Sequence, residues 1–419
     1  MSKLDNIDLM KTLDKSKMHH LVTHLPEQIY FGYFESSVDL NNSDQSNEYE
    51  NCGEVKGENL FGKHKFSNII ISGMGGSAIS ADIIKVLFSS FIPINIVKDY
   101  NFSTPSPGSL HKNGEKSPHI NGVEQGEGVV DKIVNNKTLY IIISYSGNTE
   151  EAIECCKQAL NETSNVIVIT SGGKLKDIIE DFQSKSENNI SYFDTFRMPS
   201  LIIVPSGLPP RAAIGYLFFA ILRVLEKLNI VPDHSKEVKH LIPNLMKKAG
   251  PLCWATETKF NLAKSSAEVI FPKIPIIYSS SPFLAPVAYR WKCQFNENGK
   301  MPAFSNSIPE LCHNEIEAYE NENYSKNIIP IFLRTFSDKD VYQRLVNSFQ
   351  SLLRKKNINY LEFYGDNHIQ GADKISLLDI FTLIYLGDII SFYLGILNGV
   401  DPYTINNINY IKSKNFDEN

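Results

Sequence analysis

The sequence predicts an α/β protein built from two doubly wound parallel sheets, each with helices on both faces. Three observations carry this. From Phe66 onward, short and uniformly apolar runs alternate with helical patterns, as strands buried on both faces of a parallel sheet require. The same grammar restarts near Ile274. The chain has 419 residues, of which 42% are hydrophobic, enough for two cores of ordinary size.

Taken in order, Leu4, Ile7, Met10 and Leu13 recur at helical spacing and predict a short amphipathic N-terminal helix rather than a secretory signal. Strands are expected at 68–72, 93–97, 139–143, 166–170 and 201–204. Between and after them, helices are expected at 78–90, 150–160 and 212–227. Pro232, Pro243, Gly250 and Pro251 punctuate a helical stretch near 228–256, read as the linker between the halves. In the second half, strands are expected at 274–278, 328–333 and 360–364, with helices at 286–295 and 341–356. The expected domains are 1–240, with the N-terminal helix and first sheet, 255–400, with the second, and a helical segment at 401–419. Residues 41–64, rich in Asn, Ser and Glu, and 104–131, rich in Pro, Gly, Ser and Asn, read as surface insertions.

The most apolar stretch, 377–400, carries Asp379 and Asp388 and is interrupted by Gly387, Gly395 and Gly399. A membrane span needs about 20 apolar residues with few charges, so a buried core helix is expected and no membrane partner. Lys and Arg number 41 against 47 Asp and Glu, a formal charge of −6 without a basic block. That excludes nucleic-acid binding by phosphate neutralisation, though not a small anion held by a few amides. The six cysteines contain no Cys-x-x-Cys pair, which suggests neither zinc nor disulfides and fits a reducing compartment such as the cytoplasm. Cys155 and Cys156 are expected in the core. His19, His20 and His24 share one stretch without Cys or acidic partners, so no metal is expected there.

Two loops are candidates for an anion. Ser72-Gly-Met-Gly-Gly-Ser-Ala78 joins a strand to a helix, where Gly76 lets the backbone approach a ligand and Ser77 adds a hydroxyl to the free amides. Gly73, Gly75 and Ala78 also fit a dinucleotide fingerprint, with Asp99 at the end of the next strand as its ribose acid. A tight turn without a ligand is the third reading. Ser144-Tyr-Ser-Gly-Asn-Thr149 repeats the setting with hydroxyls at Ser144, Ser146 and Thr149, which by itself is equally an N-cap. Two such loops on one sheet, with Thr170-Ser-Gly-Gly173 at the same edge, suit a phosphate monoester better than a long dinucleotide.

Gly-Met-Gly-Gly-Ser followed by Ser-Tyr-Ser-Gly-Asn-Thr-Glu-Glu resembles the sugar isomerase (SIS) superfamily, whose domains are flavodoxin-like. Pro205-Ser-Gly-Leu-Pro-Pro-Arg211, Asn296-Glu-Asn-Gly-Lys-Met-Pro302, Pro309-Glu-Leu-Cys-His-Asn-Glu315 and Asp401-Pro-Tyr-Thr404 resemble one branch, the bifunctional phosphoglucose/phosphomannose isomerases. The likeness runs in order from about 66 to 412. It implies a cofactor-free interconversion of glucose 6-phosphate and mannose 6-phosphate with fructose 6-phosphate through an enediolate. Such chemistry needs a base near C2, a group for the developing oxyanion and groups to open the ring.

The resemblance implies that Glu297 is the base, where a surface ion pair with Lys300 is the plainer alternative. It implies that His313 opens the ring, donated by the neighbouring subunit of a homodimer, an imidazole being suited to that transfer. Pro210 and Arg211 are expected to face the sugar, Arg211 stabilising the enediolate; a cation at a helix start is locally unfavourable and hints at a bound anion. Lys412 matches the family's C-terminal lysine, with Lys414 close by. Where the family often has Asp-Pro-Thr, this chain has Tyr403 before Thr404. Alternatives are a non-catalytic sugar-phosphate sensor, which would lack Glu297 or His313 or carry a DNA-binding module, and an isomerase of amino-sugar phosphates.

Overall fold

The computed structural model describes residues 2–36, 66–102, 137–163, 165–187, 199–366 and 375–416. The two expected insertions, 41–64 and 104–131, lie outside the described residues. Two compact units result: Gly32–Pro232, and Met1–Phe31 together with Asp233–Asn419. The boundaries read from the sequence, 1–240 and 255–400, differ from this division. The N-terminal helices α1 (Ile7–Leu13), α2 (Met18–Thr23) and α3 (Leu25–Tyr30) group with the second sheet, as does the segment 401–419.

In the unit Gly32–Pro232, the strands are β1 (Asn68–Gly73), β2 (Ile94–Val97), β3 (Thr138–Ile143), β4 (Val166–Thr170) and β5 (Ser200–Ile203). They pair in parallel in the order β2-β1-β3-β4-β5. Helices α4 (Gly75–Phe88), α5 (Glu150–Glu162), α6 (Gly173–Glu187) and α7 (Ile214–Lys227) complete the layers. Ile70, Tyr140, Ile142, Val166 and Val168 pack with Cys155, Cys156 and Ile179 of α5 and α6 on one face. Ile69, Ile71 and Ile141, pointing the other way, are equally buried, so both faces are covered, and the uniformly apolar runs are explained. The chain leaves β1 toward one edge and β3 toward the other. That switch lies between the two candidate loops, at the carboxyl ends where ligands of such sheets bind.

The other unit contains α8 (Ser235–Leu252), α9 (Leu262–Ile270), β6 (Ile274–Ser279), α10 (Ala285–Glu297) and β7 (Phe304–Ser307). It continues through α11 (Glu322–Ser325), β8 (Ile328–Arg334), α12 (Asp340–Lys355), β9 (Leu361–Tyr364), α13 (Leu377–Leu397) and α14 (Asn406–Phe416). The sheet is parallel, in the order β7-β6-β8-β9. Strand β7, Phe-Ser-Asn-Ser, has no apolar run and was not expected; pairing to β6 at the sheet edge makes it a strand. Most of the expected linker is helix α8, with Pro243 and Pro251 inside it.

Helix α13 has the length and hydropathy of a membrane span, yet every residue is buried within the protein. A helix apolar on all sides needs neighbours on all sides, and α2, α8, α9 and α10 supply them. This is why the N-terminal helices belong to this unit. Asp379 closes a capping box with Ser376, and Asp388 pairs with Arg290 of α10. Gly387 lies so close to Trp291 that a Cβ there would meet the indole at 2.2 Å.

Candidate active site

In the first unit, the β1 loop turns into α4 through Gly75, at φ +53°, and Gly76. A Cβ on Gly76 would stand 2.9 Å from the Pro210 carbonyl oxygen and 3.0 Å from the Arg211 Cα, so a side chain there is excluded. Ser77, buried, accepts a hydrogen bond from the Tyr145 amide at 3.3 Å, tying this loop to the one after β3. In that second loop, Ser144 is buried and shares a 2.8 Å hydrogen bond with Thr149, whereas Ser146 is exposed and accepts from the Asn148 amide. Gly147 has φ +67°, and a Cβ on it would fall 1.7 Å from the Gly172 carbonyl oxygen.

The third turn, Thr170–Gly173, supports rather than faces the candidate site. Ser171 donates to the Tyr145 carbonyl at 2.7 Å, the Thr170 hydroxyl closes on Gly172, and Lys174 N–H reaches Asn148 Oδ1 at 3.1 Å. The Ser171 hydroxyl and the Lys174 amide hold the second loop in place. Tyr145, not singled out in the sequence, is the hub. Its hydroxyl donates to the Pro205 carbonyl at 2.7 Å and accepts the Leu208 amide at 3.1 Å. It therefore ties the second loop to the segment that leads into Pro210 and Arg211. The available signal was a buried aromatic between two hydroxyl residues. Pro210 is exposed, while Arg211, in a 3₁₀ turn ahead of α7, is only 4% exposed. Gly76, Ser77, Ser144, Thr149, Pro210 and Arg211 thus converge at the sheet switch. Asp99, the ribose acid of the dinucleotide alternative, is exposed and accepts the Tyr100 amide at 2.7 Å.

In the second unit, Glu297 is the last residue of α10 and half-buried. Its surroundings are fixed by polar contacts along the α10–α13 seam. Arg290 grips Asp388 with Nε at 3.0 Å and a second nitrogen at 2.6 Å, and Gln294 adds a bond of 2.8 Å. Asn298, fully buried, donates to Ser391 at 2.9 Å, and Ser391 donates to the Asp388 carbonyl at 2.6 Å. Lys300 takes φ +54° and donates to the main-chain carbonyls of Glu297 and of Pro402, the latter at 3.2 Å. Asn398 donates to the Gly299 carbonyl at 2.7 Å. Residues Asn298 and Lys300 of the Glu-Asn-x-Lys motif therefore pin the turn after Glu297. A sequence motif cannot distinguish that from a side-chain ion pair.

His313 is exposed at the end of a 3₁₀ turn. Glu315 anchors the next stretch of chain: it accepts from Tyr278 at 2.7 Å and from Asn306 at 2.6 Å, and the Tyr278 and Tyr319 hydroxyls share a 2.7 Å bond. Leu311 and Ile308 lock the same segment into the core. In the 401–404 turn, Asp401 accepts the Tyr403 amide at 2.9 Å and Thr404 donates to the Asp401 carbonyl at 3.1 Å, so Tyr403 is accommodated in a closed turn. Lys412 and Lys414 both stand exposed on α14.

The remaining candidates are structural. Cys155 and Cys156 are fully buried, and burial pushes the Cys156 thiol up to about 12. His19 stacks on Trp254 at 4.6 Å, and burial lowers its pKa to about 4, leaving a neutral core ring. His24 Nδ1 lies 2.7 Å from the His20 carbonyl oxygen.

Residues 259–414 match the family model described as the bacterial phospho-glucose isomerase C-terminal SIS domain. A bifunctional phosphoglucose/phosphomannose isomerase from Caldicellulosiruptor bescii is 31% identical over 95% of this chain and 98% of its own length. One from Thermoplasma volcanium is 31% identical over 86% and 95%. Among solved structures, tagatose-6-phosphate ketose/aldose isomerase from Escherichia coli superposes with a TM-score of 0.57 at 14% identity, covering 94% of this chain and 96% of that one, which bears on the fold alone. With that likeness along nearly its whole length, the chain belongs to the bifunctional phosphoglucose/phosphomannose isomerase family.

Proposed function

We propose that this protein is an aldose–ketose isomerase, interconverting glucose 6-phosphate and mannose 6-phosphate with fructose 6-phosphate. The observation that carries this is the 31% identity to a relative of that name over 95% of the chain. The hydroxyl loops around the buried Arg211 and the pinned end of α10 at Glu297 support it.

The phosphate is held by the amides at Gly76 and Ser77 and by the hydroxyls of Ser144, Ser146 and Thr149. His313 and Lys412 shuttle the protons that open the ring, exposing the C1 aldehyde. Glu297 then removes the C2 proton, and the electron pair moves into a C1–C2 double bond with negative charge on O1. Arg211, beside Pro210, stabilises that charge. The O2 hydroxyl proton passes to O1, and returning the abstracted proton to C1 then forms the C2 ketone with a C1 hydroxyl. Mannose 6-phosphate differs only at C2, so rotation about C2–C3 presents its proton to the same base. Every step is a proton transfer, and no cofactor is required. His313 comes from the neighbouring subunit of a homodimer, for which its exposure at the end of a rigid turn is suited.

A coupled assay starting from fructose 6-phosphate, following glucose 6-phosphate and mannose 6-phosphate separately, tests this. Both products are expected. Formation of neither sinks the enzyme, and formation of one alone removes the bifunctional assignment.

A further inference from the structure

The sheet of the second unit has its own switch point. The chain leaves β6 toward β7 on one side and β8 toward β9 on the other, as it leaves β1 and β3 in the first sheet. The loops leaving these strands resemble those of the first unit. Thr335-Phe336-Ser337 follows β8 in the same hydroxyl, aromatic, hydroxyl order in which Ser144-Tyr145-Ser146 follows β3, and each loop leads into a long helix, α12 or α5. Ser279-Ser280-Ser281 lies at the end of β6, all three buried.

The difference is Asp338. Its carboxylate, 7% exposed, accepts the Thr335 amide and the Thr335 hydroxyl, each at 3.2 Å. Fully buried Ser280 lies against the same carboxylate, its hydroxyl without a bond of regular geometry. Among the described residues, the hydroxyls of Ser279 and Ser337 also find no hydrogen-bond partner. Buried hydroxyls left unmatched in this way are uncommon and call for an explanation. The cation at this edge, Arg334, is engaged by Glu362 at 2.7 Å.

We infer that this edge is a second oxyanion cradle, suited to a phosphate group and held closed by the carboxylate of Asp338. The Thr335 amide and hydroxyl that would meet a phosphate meet a carboxylate of the chain itself, and its charge repels a second anion. Burial raises the Asp338 pKa, against the Thr335 hydrogen bonds and the nearby Arg334 charge that lower it.

The test uses the full chain with inorganic phosphate as probe, measured by titration calorimetry. Wild type is expected to bind one phosphate per chain, and Asp338→Ala two. Asp338→Asn, which keeps the cradle filled, is expected to stay at one. An unchanged stoichiometry in folded Asp338→Ala overturns the inference. If Asp338→Ala does not fold unaided, refolding is compared in phosphate and in chloride at equal ionic strength. A higher yield in phosphate supports the cradle, and equal yields overturn it. The outcome is separable from the proposed isomerase activity. Absence of phosphate binding in wild type counts against the first-unit loops, whereas the gain on replacing Asp338 reports on the second sheet alone.

Discussion

At the carboxyl edge of the first sheet, glycines and hydroxyls surround a switch point, and one buried cation, Arg211, stands beside them. At the carboxyl edge of the second sheet, Asp338 takes up the Thr335 amide and hydroxyl, and Arg334 is paired with Glu362. The two sheets share a winding rule and diverge in the side chains their loops carry. The second unit places its proposed chemistry elsewhere, at the end of a helix, where Glu297 is held by the α10–α13 seam. A fold repeated within one chain can thus give up one site and build another, because a sheet edge and a helix end are positioned by different contacts.

Three tests sharpen or break this division. The largest effect is expected for Glu297→Gln: turnover falls roughly 10³-fold, within the range for losing a general base, while sugar-phosphate binding by calorimetry stays within a few-fold. Turnover within tenfold of wild type would move the base to another residue. Next comes Arg290→Met, which leaves Asp388 buried without its partner and should cost about 3–5 kcal/mol by urea unfolding. The double variant Arg290→Met/Asp388→Leu should recover most of that, and a double variant as unstable as the single would mean the pair does not act as a unit.

The smallest is expected for Gly147→Ala. Positive φ alone costs about 1–3 kcal/mol, and the clash with Gly172 forces the second loop to shift. The KM for sugar phosphate should rise by more than kcat falls, since the loop belongs to the phosphate side. A fall in kcat alone would contradict that assignment.

The strands were legible because a sheet buried on both faces demands uniform apolar runs, and Ile69 to Ile71 or Leu139 to Ile143 satisfy that demand locally. The loops were legible for a related reason: glycines and hydroxyls between a strand and a helix are adjacent in sequence. Strand β7 was not, since Phe304 to Ser307 becomes a strand only through its pairing with β6. Nor was Tyr145, whose partners Pro205 and Leu208 lie about 60 residues away.

By itself, then, the sequence determined what depends on neighbours along the chain: two alternating α/β patterns, two candidate anion loops, and one long apolar helix near the C-terminus. Tertiary structure decided what depends on distant partners. It grouped the N-terminal helices with the second sheet, because α13 is apolar all round and must be covered. It assigned Thr170–Gly173 to support, assigned Asn298 and Lys300 to holding the turn behind Glu297, and set Asp338 among the donors of the second edge. Hydrogen bonds between residues tens or hundreds of positions apart carry no local signature, and those bonds settle which side chains are spent on the fold.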